Sequence, residues 1–147
     1  MKSSADIKKL AREKFTDAEC LFINGRFNSA YYLAGYCIEL LIKAKICQTL
    51  GIEDFFDFSN PDKTRLKNEG SLLKPFKVHD LEQLLILSGI YSNLLNKTKT
   101  DAQLNAAWSE IVRWNENTRY EMVRTEGETM NLLTSVKKFE AWIKNFL

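Results

Sequence analysis

Histidine occurs once in this chain, at position 79, proline twice and cysteine three times. Each scarcity closes a class of function. A single histidine cannot assemble a metal site by itself, and no serine or cysteine stands at a spacing that ties it to a catalytic triad. Cys20, Cys37 and Cys47 are odd in number and show no C-x-x-C spacing. Each falls in a helical apolar pattern, so they read as buried reduced thiols of a cytoplasmic protein. Gly-rich phosphate loops, Walker sequences and zinc-finger spacings are absent, and the residues call for no cofactor. The start, MKSSADIKKLAREKF, lacks the apolar stretch of a signal peptide, which sets the cytoplasm as the expected location. Charge of one sign is lacking too. The 21 basic and 19 acidic residues leave +2, so a nucleic-acid contact would need a local patch rather than bulk attraction.

The 147 residues are 45% hydrophobic, enough for one domain spanning 1–147 with its own core. Its centre is Ser29 to Leu50, SAYYLAGYCIELLIKAKICQTL, apolar on nearly every side. At about 100° per residue, Leu33, Cys37, Leu40, Ala44 and Cys47 share one stripe. Tyr31, Ala34, Ile38, Leu41 and Ile42 cover most of the opposite side. A helix of that kind belongs inside a bundle. Glu39, Lys43, Lys45 and three tyrosines interrupt it too often for a membrane span. A third stripe, Tyr32, Tyr36, Glu39 and Lys43, lies between the apolar sides, and Glu39 is the only acid of the run.

A first helix is expected from Ser4 to Asn24, capped by Ser3 with Asp6 and stopped at Asn24-Gly25. The short link to the central helix implies an antiparallel hairpin. Gly35 costs about 1 kcal/mol against alanine in mid-helix and is expected where a neighbouring backbone comes close. Gly51 ends the central helix. Residues 52–78 then lose periodicity and read as an irregular loop or lid, anchored by Phe55, Phe56 and Phe58, with Lys63, Arg65 and Lys67 on a solvated stretch. Helices resume at Asp80, capping with Gln83, and continue briefly over Ile90 to Leu95. Further starts are expected at Thr100-x-x-Gln103 and Thr125-x-x-Glu128. The fold class is all-α, an up-and-down bundle of four or five helices with a long excursion after the second.

One polar and aromatic cluster remains, Arg113-Trp114-Asn115-Glu116-Asn117-Thr118-Arg119-Tyr120-Glu121. Arginine offers a planar fork for phosphate, and tyrosine or tryptophan can stack a base. The same residues also suit a structural role, with the aromatics packed on the bundle and the arginines paired to Glu116 and Glu121.

Three stretches in this order resemble the HEPN-domain family of small all-α domains: NSAYYLAGYCIELLIKAKI, HDLEQLLILSG from His79, and W-x4-R-Y from Trp114 to Tyr120. Many ribonuclease members carry R-x4-H followed by x-Tyr. Laid on this chain, the arginine is Arg113, the tyrosine Tyr120, and the histidine position Thr118. A threonine hydroxyl donates a hydrogen bond but carries no proton near neutral pH as imidazole does. The resemblance therefore implies a nucleotide- or RNA-phosphate-binding domain, linked to toxin–antitoxin or defence systems, without the family's ribonuclease chemistry. Its expected site is Arg113, Thr118, Arg119 and Tyr120 with Glu39 behind. Tyr32, Tyr36, Lys43, Asn117 and His79 would be accessory, with no metal. Glu39 would face Arg113 or Arg119, or else Lys43 one turn along its own helix. The resemblance also implies a homodimer, and a partner protein such as a small nucleotidyltransferase. A metal-independent endoribonuclease with a re-sited acid–base group and a purely structural interaction module are the alternatives.

Overall fold

A computed structural model describes residues 3–57, 74–76 and 78–147. The chain is an all-α bundle, with no strand and six α-helices among the described residues. These are α1 (Ser4–Ile23), α2 (Phe27–Leu50), α3 (Leu81–Leu87), α4 (Tyr91–Thr98), α5 (Ala102–Ile111) and α6 (Glu126–Ile143). A short 3₁₀ turn, Lys74–Phe76, precedes α3, and a 3₁₀ segment, Glu116–Tyr120, links α5 to α6. No helix among the described residues is long and apolar enough to cross a membrane.

Local chemistry sets the helix ends. Ser3 and Asp6 form a reciprocal capping box at α1, as Thr125 and Glu128 do at α6. Gly25 and Gly51 hold the left-handed conformations that close α1 and α2, with φ of +73° and +67°. Asp80 Oδ1 accepts the Gln83 amide at 2.8 Å and starts α3. Several boundaries differ from the expectation. Asp101, not Thr100, caps α5, because its Oδ1 takes the Leu104 amide at 3.0 Å while its other oxygen holds Lys138 at 2.9 Å. The continuation after Gly89 runs over Tyr91–Thr98 rather than Ile90 to Leu95.

α2 is the axis of the bundle, beginning at Phe27, two residues before the expected start. Thirteen of its residues are buried, including Ile38, Leu40, Ile42 and Ile46. α1, α3, α6 and the 3₁₀ segment Glu116–Tyr120 all pack on it. Ser4 Oγ donates to Glu53 Oε2 at 2.6 Å, tying the start of α1 beyond the end of α2. Trp108 stacks on Phe139 where α5 meets α6, and Trp142 lies tilted against the same ring.

Of the expected lid, the ends alone are described: Phe55 meets Phe56 at 5.0 Å and Phe76 at 4.9 Å between ring centres. Phe58, Lys63, Arg65 and Lys67 lie outside the described residues. Cys37 and Cys47 are buried as expected. Cys20 is exposed, because it falls on the outer side of α1.

Candidate functional site: two hollows beside the start of the central helix

The third stripe of α2 meets the 3₁₀ segment through Trp114. Its ring lies over Gly35, whose missing side chain leaves the room: a Cβ there would be 2.2 Å from Trp114 Cδ1. Close approach at Gly35 was expected from a backbone, and the neighbour is an indole instead. Trp114 Nε1 donates to Tyr32 O at 3.2 Å, and Tyr32 stacks between Trp114 and Tyr36, at 5.9 and 6.1 Å. An otherwise ordinary loop is thereby locked onto the bundle axis.

Glu39 is only 1% exposed, and its carboxylate has two cationic or hydrogen-bonding partners. Lys43 Nζ, one turn on, lies 2.6 Å from Oε1. His79 Nδ1 lies 3.0 Å from Oε1 and 3.1 Å from Oε2. The imidazole's other nitrogen, Nε2, stands 3.1 Å from Glu116 Oε2 at the head of the 3₁₀ segment. Neither arginine fills the role of partner to Glu39. Arg113 pairs with Glu110 at 3.6 Å, and the Arg119 guanidinium lies 4.8 Å from the centre of the Tyr120 ring.

The five expected site residues therefore do not share one hollow. Arg113 lines an open cavity of about 460 Å³ with His79, Asp80, Glu82, Asn115, Glu116 and Asn117. Three carboxylates on that rim make it a poor seat for phosphate. Arg119 lines a second one, about 390 Å³, with Asn28, Ser29, Tyr32, Leu33 and Glu121. Thr118 lines neither. It is 1% exposed, and its hydroxyl has no hydrogen-bond partner among the described residues. Tyr120 is 71% exposed beside Arg119.

Two features make the Arg119 hollow the better anion site. The Arg119 guanidinium, always charged, stands exposed at its rim beside Tyr120 and pairs with no carboxylate among the described residues, whereas Arg113 is paired with Glu110. The floor is the first turn of a 24-residue helix whose N-cap, Arg26, supplies no side-chain hydrogen bond. Amides at such a terminus favour negative charge. The adjoining hollow, about 440 Å³, shares Asn28 and Ser29 and adds Arg26 and Arg124. Asn28 Oδ1 accepts the Arg124 amide at 2.6 Å, and the Arg124 guanidinium lies 4.0 Å from the Tyr31 ring centre and pairs with Glu121.

Asn28, Ser29 and Arg124 were not singled out in the sequence, although Asn28 and Ser29 open the tyrosine-rich run. The pairing of His79 across 40 and 37 positions leaves no local trace in the sequence. Among the described residues no group of three histidine, cysteine or acidic side chains stands close enough to hold a metal ion. No family model, curated protein or solved structure matches this chain.

Proposed function

We propose that this protein is a HEPN-like domain that binds the phosphate of a nucleotide or of single-stranded RNA at the Arg119 hollow. The observation that carries this reading is the grouping of Arg119 with Tyr32, Asn28 and Ser29 over the uncapped first turn of α2. A phosphate there would accept from the guanidinium fork and from the Ser29 and Asn28 side chains. Tyr120, exposed next to Arg119, offers a face on which a base can stack. Cleavage is not part of the reading. Thr118 is buried, and both ring nitrogens of His79 already face carboxylates, so neither offers a free acceptor for a substrate proton.

A thermal-shift panel of ribonucleotides and short RNAs tests it. A member of the panel should raise the melting temperature, Arg119→Ala should abolish the rise, and Arg113→Ala should leave it. Equal loss in both variants, or no rise with any ligand, would contradict the proposal.

A second reading, an interaction module, is favoured by the exposed apolar side chains Tyr120, Met122 and Val123, close together in sequence and the latter two 86% exposed. A second copy of the chain or a small nucleotidyltransferase are the partners the family resemblance suggests. Co-purification of such a partner, weakened by Met122→Ser with ligand response unchanged, distinguishes it.

A further inference from the structure

The Arg119 hollow does not end at Arg119. Asn28 and Ser29 line it and the neighbouring hollow alike, so the two adjoin across these side chains. Arg119 borders one, and Arg26 with Arg124 border the other. Glu121 is the only carboxylate lining either, and it is paired with Arg124. Arg26 and Arg119 are exposed, and neither has an ion pair among the described residues. Three guanidiniums against one carboxylate leave an excess of two positive charges along the pair of hollows. That is the kind of local patch a chain of +2 overall needs in order to hold nucleic acid.

Size and charge say what would fill the pair. The hollows measure about 390 and 440 Å³. A phosphate group takes the room of a few water molecules, each ~30 Å³ in the liquid, so either hollow exceeds one phosphate several-fold. A pyrophosphate, whose phosphates share an oxygen, would concentrate its charge in one hollow and leave the other unmatched. Consecutive phosphodiesters of a strand carry one charge each and stand a sugar apart, which suits an excess of two spread over two hollows. Each hollow also has a ledge beside it. Tyr120 is 71% exposed next to Arg119, and Met122, 86% exposed, lines the second hollow. A base can rest on a phenol ring or against a thioether.

We propose that the two hollows form one track for single-stranded RNA, in which Arg119 takes one phosphate and Arg26 with Arg124 take the next. The inference rests on the phosphate reading above and deepens it: the ligand is a strand with consecutive phosphates, not a mononucleotide. The three arginines have different parts. Arg26 is exposed and makes no side-chain hydrogen bond where α2 begins, so its guanidinium can turn onto a phosphate without giving up a partner. Arg124 is fixed. Its amide donates to Asn28 Oδ1 at 2.6 Å and its guanidinium lies on the Tyr31 ring, so it supplies charge in place. Asn28 spends its oxygen on that amide, which leaves its side-chain nitrogen to donate to the strand at the junction of the hollows.

Amide-shift titrations with di- and trinucleotides of adenosine, cytidine and uridine, lacking terminal phosphates, separate one phosphate from two. The trinucleotide of the preferred base should bind about tenfold tighter than its dinucleotide, the worth of one more charge-assisted contact. Only the trinucleotide should shift the amides of Arg26 and Met122. Its affinity should fall more steeply with salt, the slope of log K against log salt growing by about 0.7. Arg26→Ala, at an exposed side chain, should bring the trinucleotide down to the level of the dinucleotide and leave the dinucleotide nearly unchanged. Arg119→Ala should weaken both. A neutral methylphosphonate in place of one linkage keeps every base and should remove the same gain. Equal affinity for the two lengths, equal loss of both in Arg26→Ala, or full binding of the methylphosphonate form overturns the track and leaves the phosphate reading at Arg119 standing. Adenosine diphosphate bound as tightly as the trinucleotide, with the same loss in Arg26→Ala, overturns the strand in favour of a pyrophosphate. Binding that survives Arg119→Ala but not Arg26→Ala sinks the phosphate reading of the Arg119 hollow, and no response to any probe sinks both.

Discussion

The indole of Trp114 fills the space that a side chain at residue 35 would need, with 2.2 Å between its Cδ1 and the position of a Cβ. Gly35→Ala therefore sets two effects against each other. Helix propensity gains about 1 kcal/mol, while displacing a ring that is 3% exposed costs on the order of 1–3 kcal/mol or more. The clash should win, because an indole packed on Tyr32 has no room to withdraw. Urea unfolding is expected to show a lower midpoint for Gly35→Ala at unchanged slope, and a much smaller loss when Trp114→Leu is already present. A gain in stability from Gly35→Ala alone would contradict this packing.

The buried Glu39 carboxylate joins Lys43 and the half-exposed His79. Its removal should cost about 3 kcal/mol, the lower end for a broken buried pair, because Lys43 and His79 both retain a path to solvent. Glu39→Ala measured against Lys43→Met, with the double variant closing the cycle, should give a double loss well below the sum. Strict additivity would mean that the two do not interact.

Alkaline stability follows from burial. Desolvation pushes the Cys37 thiol up to about 12, and Tyr31 and Tyr36 rise for the same first reason, with Glu39 adding to the effect at Tyr36. The folded state then holds protons that the unfolded chain releases, so stability is whole below the ordinary thiol and phenol range. It falls as pH rises from about 9 toward about 12. Denaturant midpoints taken across that window should drop, less steeply in Cys37→Ala. A flat profile would contradict the burial of these groups.

Thiol chemistry should separate the cysteines. Cys20, exposed on α1, is expected to alkylate in the native protein, whereas Cys37 and Cys47 react only after unfolding. Mass spectrometry after brief native labelling checks this, and modification of Cys37 at the rate of Cys20 would refute it.

Much of the helical frame was legible because its signals are local. Ser3 with Asp6, Thr125 with Glu128, and the glycines at 25 and 51 each announce a helix end within four residues. Thr100 misled because the next residue, Asp101, is an equally good cap, and the decision came from Lys138 on α6. The site was less legible. Tyr32 and Glu39 of the stripe do reach toward the 3₁₀ segment, but through Trp114 and His79 rather than through the arginines. Which side of a short segment each side chain leaves from depends on how Trp114 seats on Gly35. Spacing along the chain does not carry that information, so Arg113 and Arg119 look like neighbours and line different hollows.

The phosphate reading is tested most directly by mapping amide shifts while a short single-stranded RNA is added to the ¹⁵N-labelled protein. The account predicts saturable changes at Asn28, Ser29, Tyr32, Arg119 and Tyr120, lost in Arg119→Ala. Changes centred instead on Asp80, Arg113 and Asn117, or none at all, would contradict it.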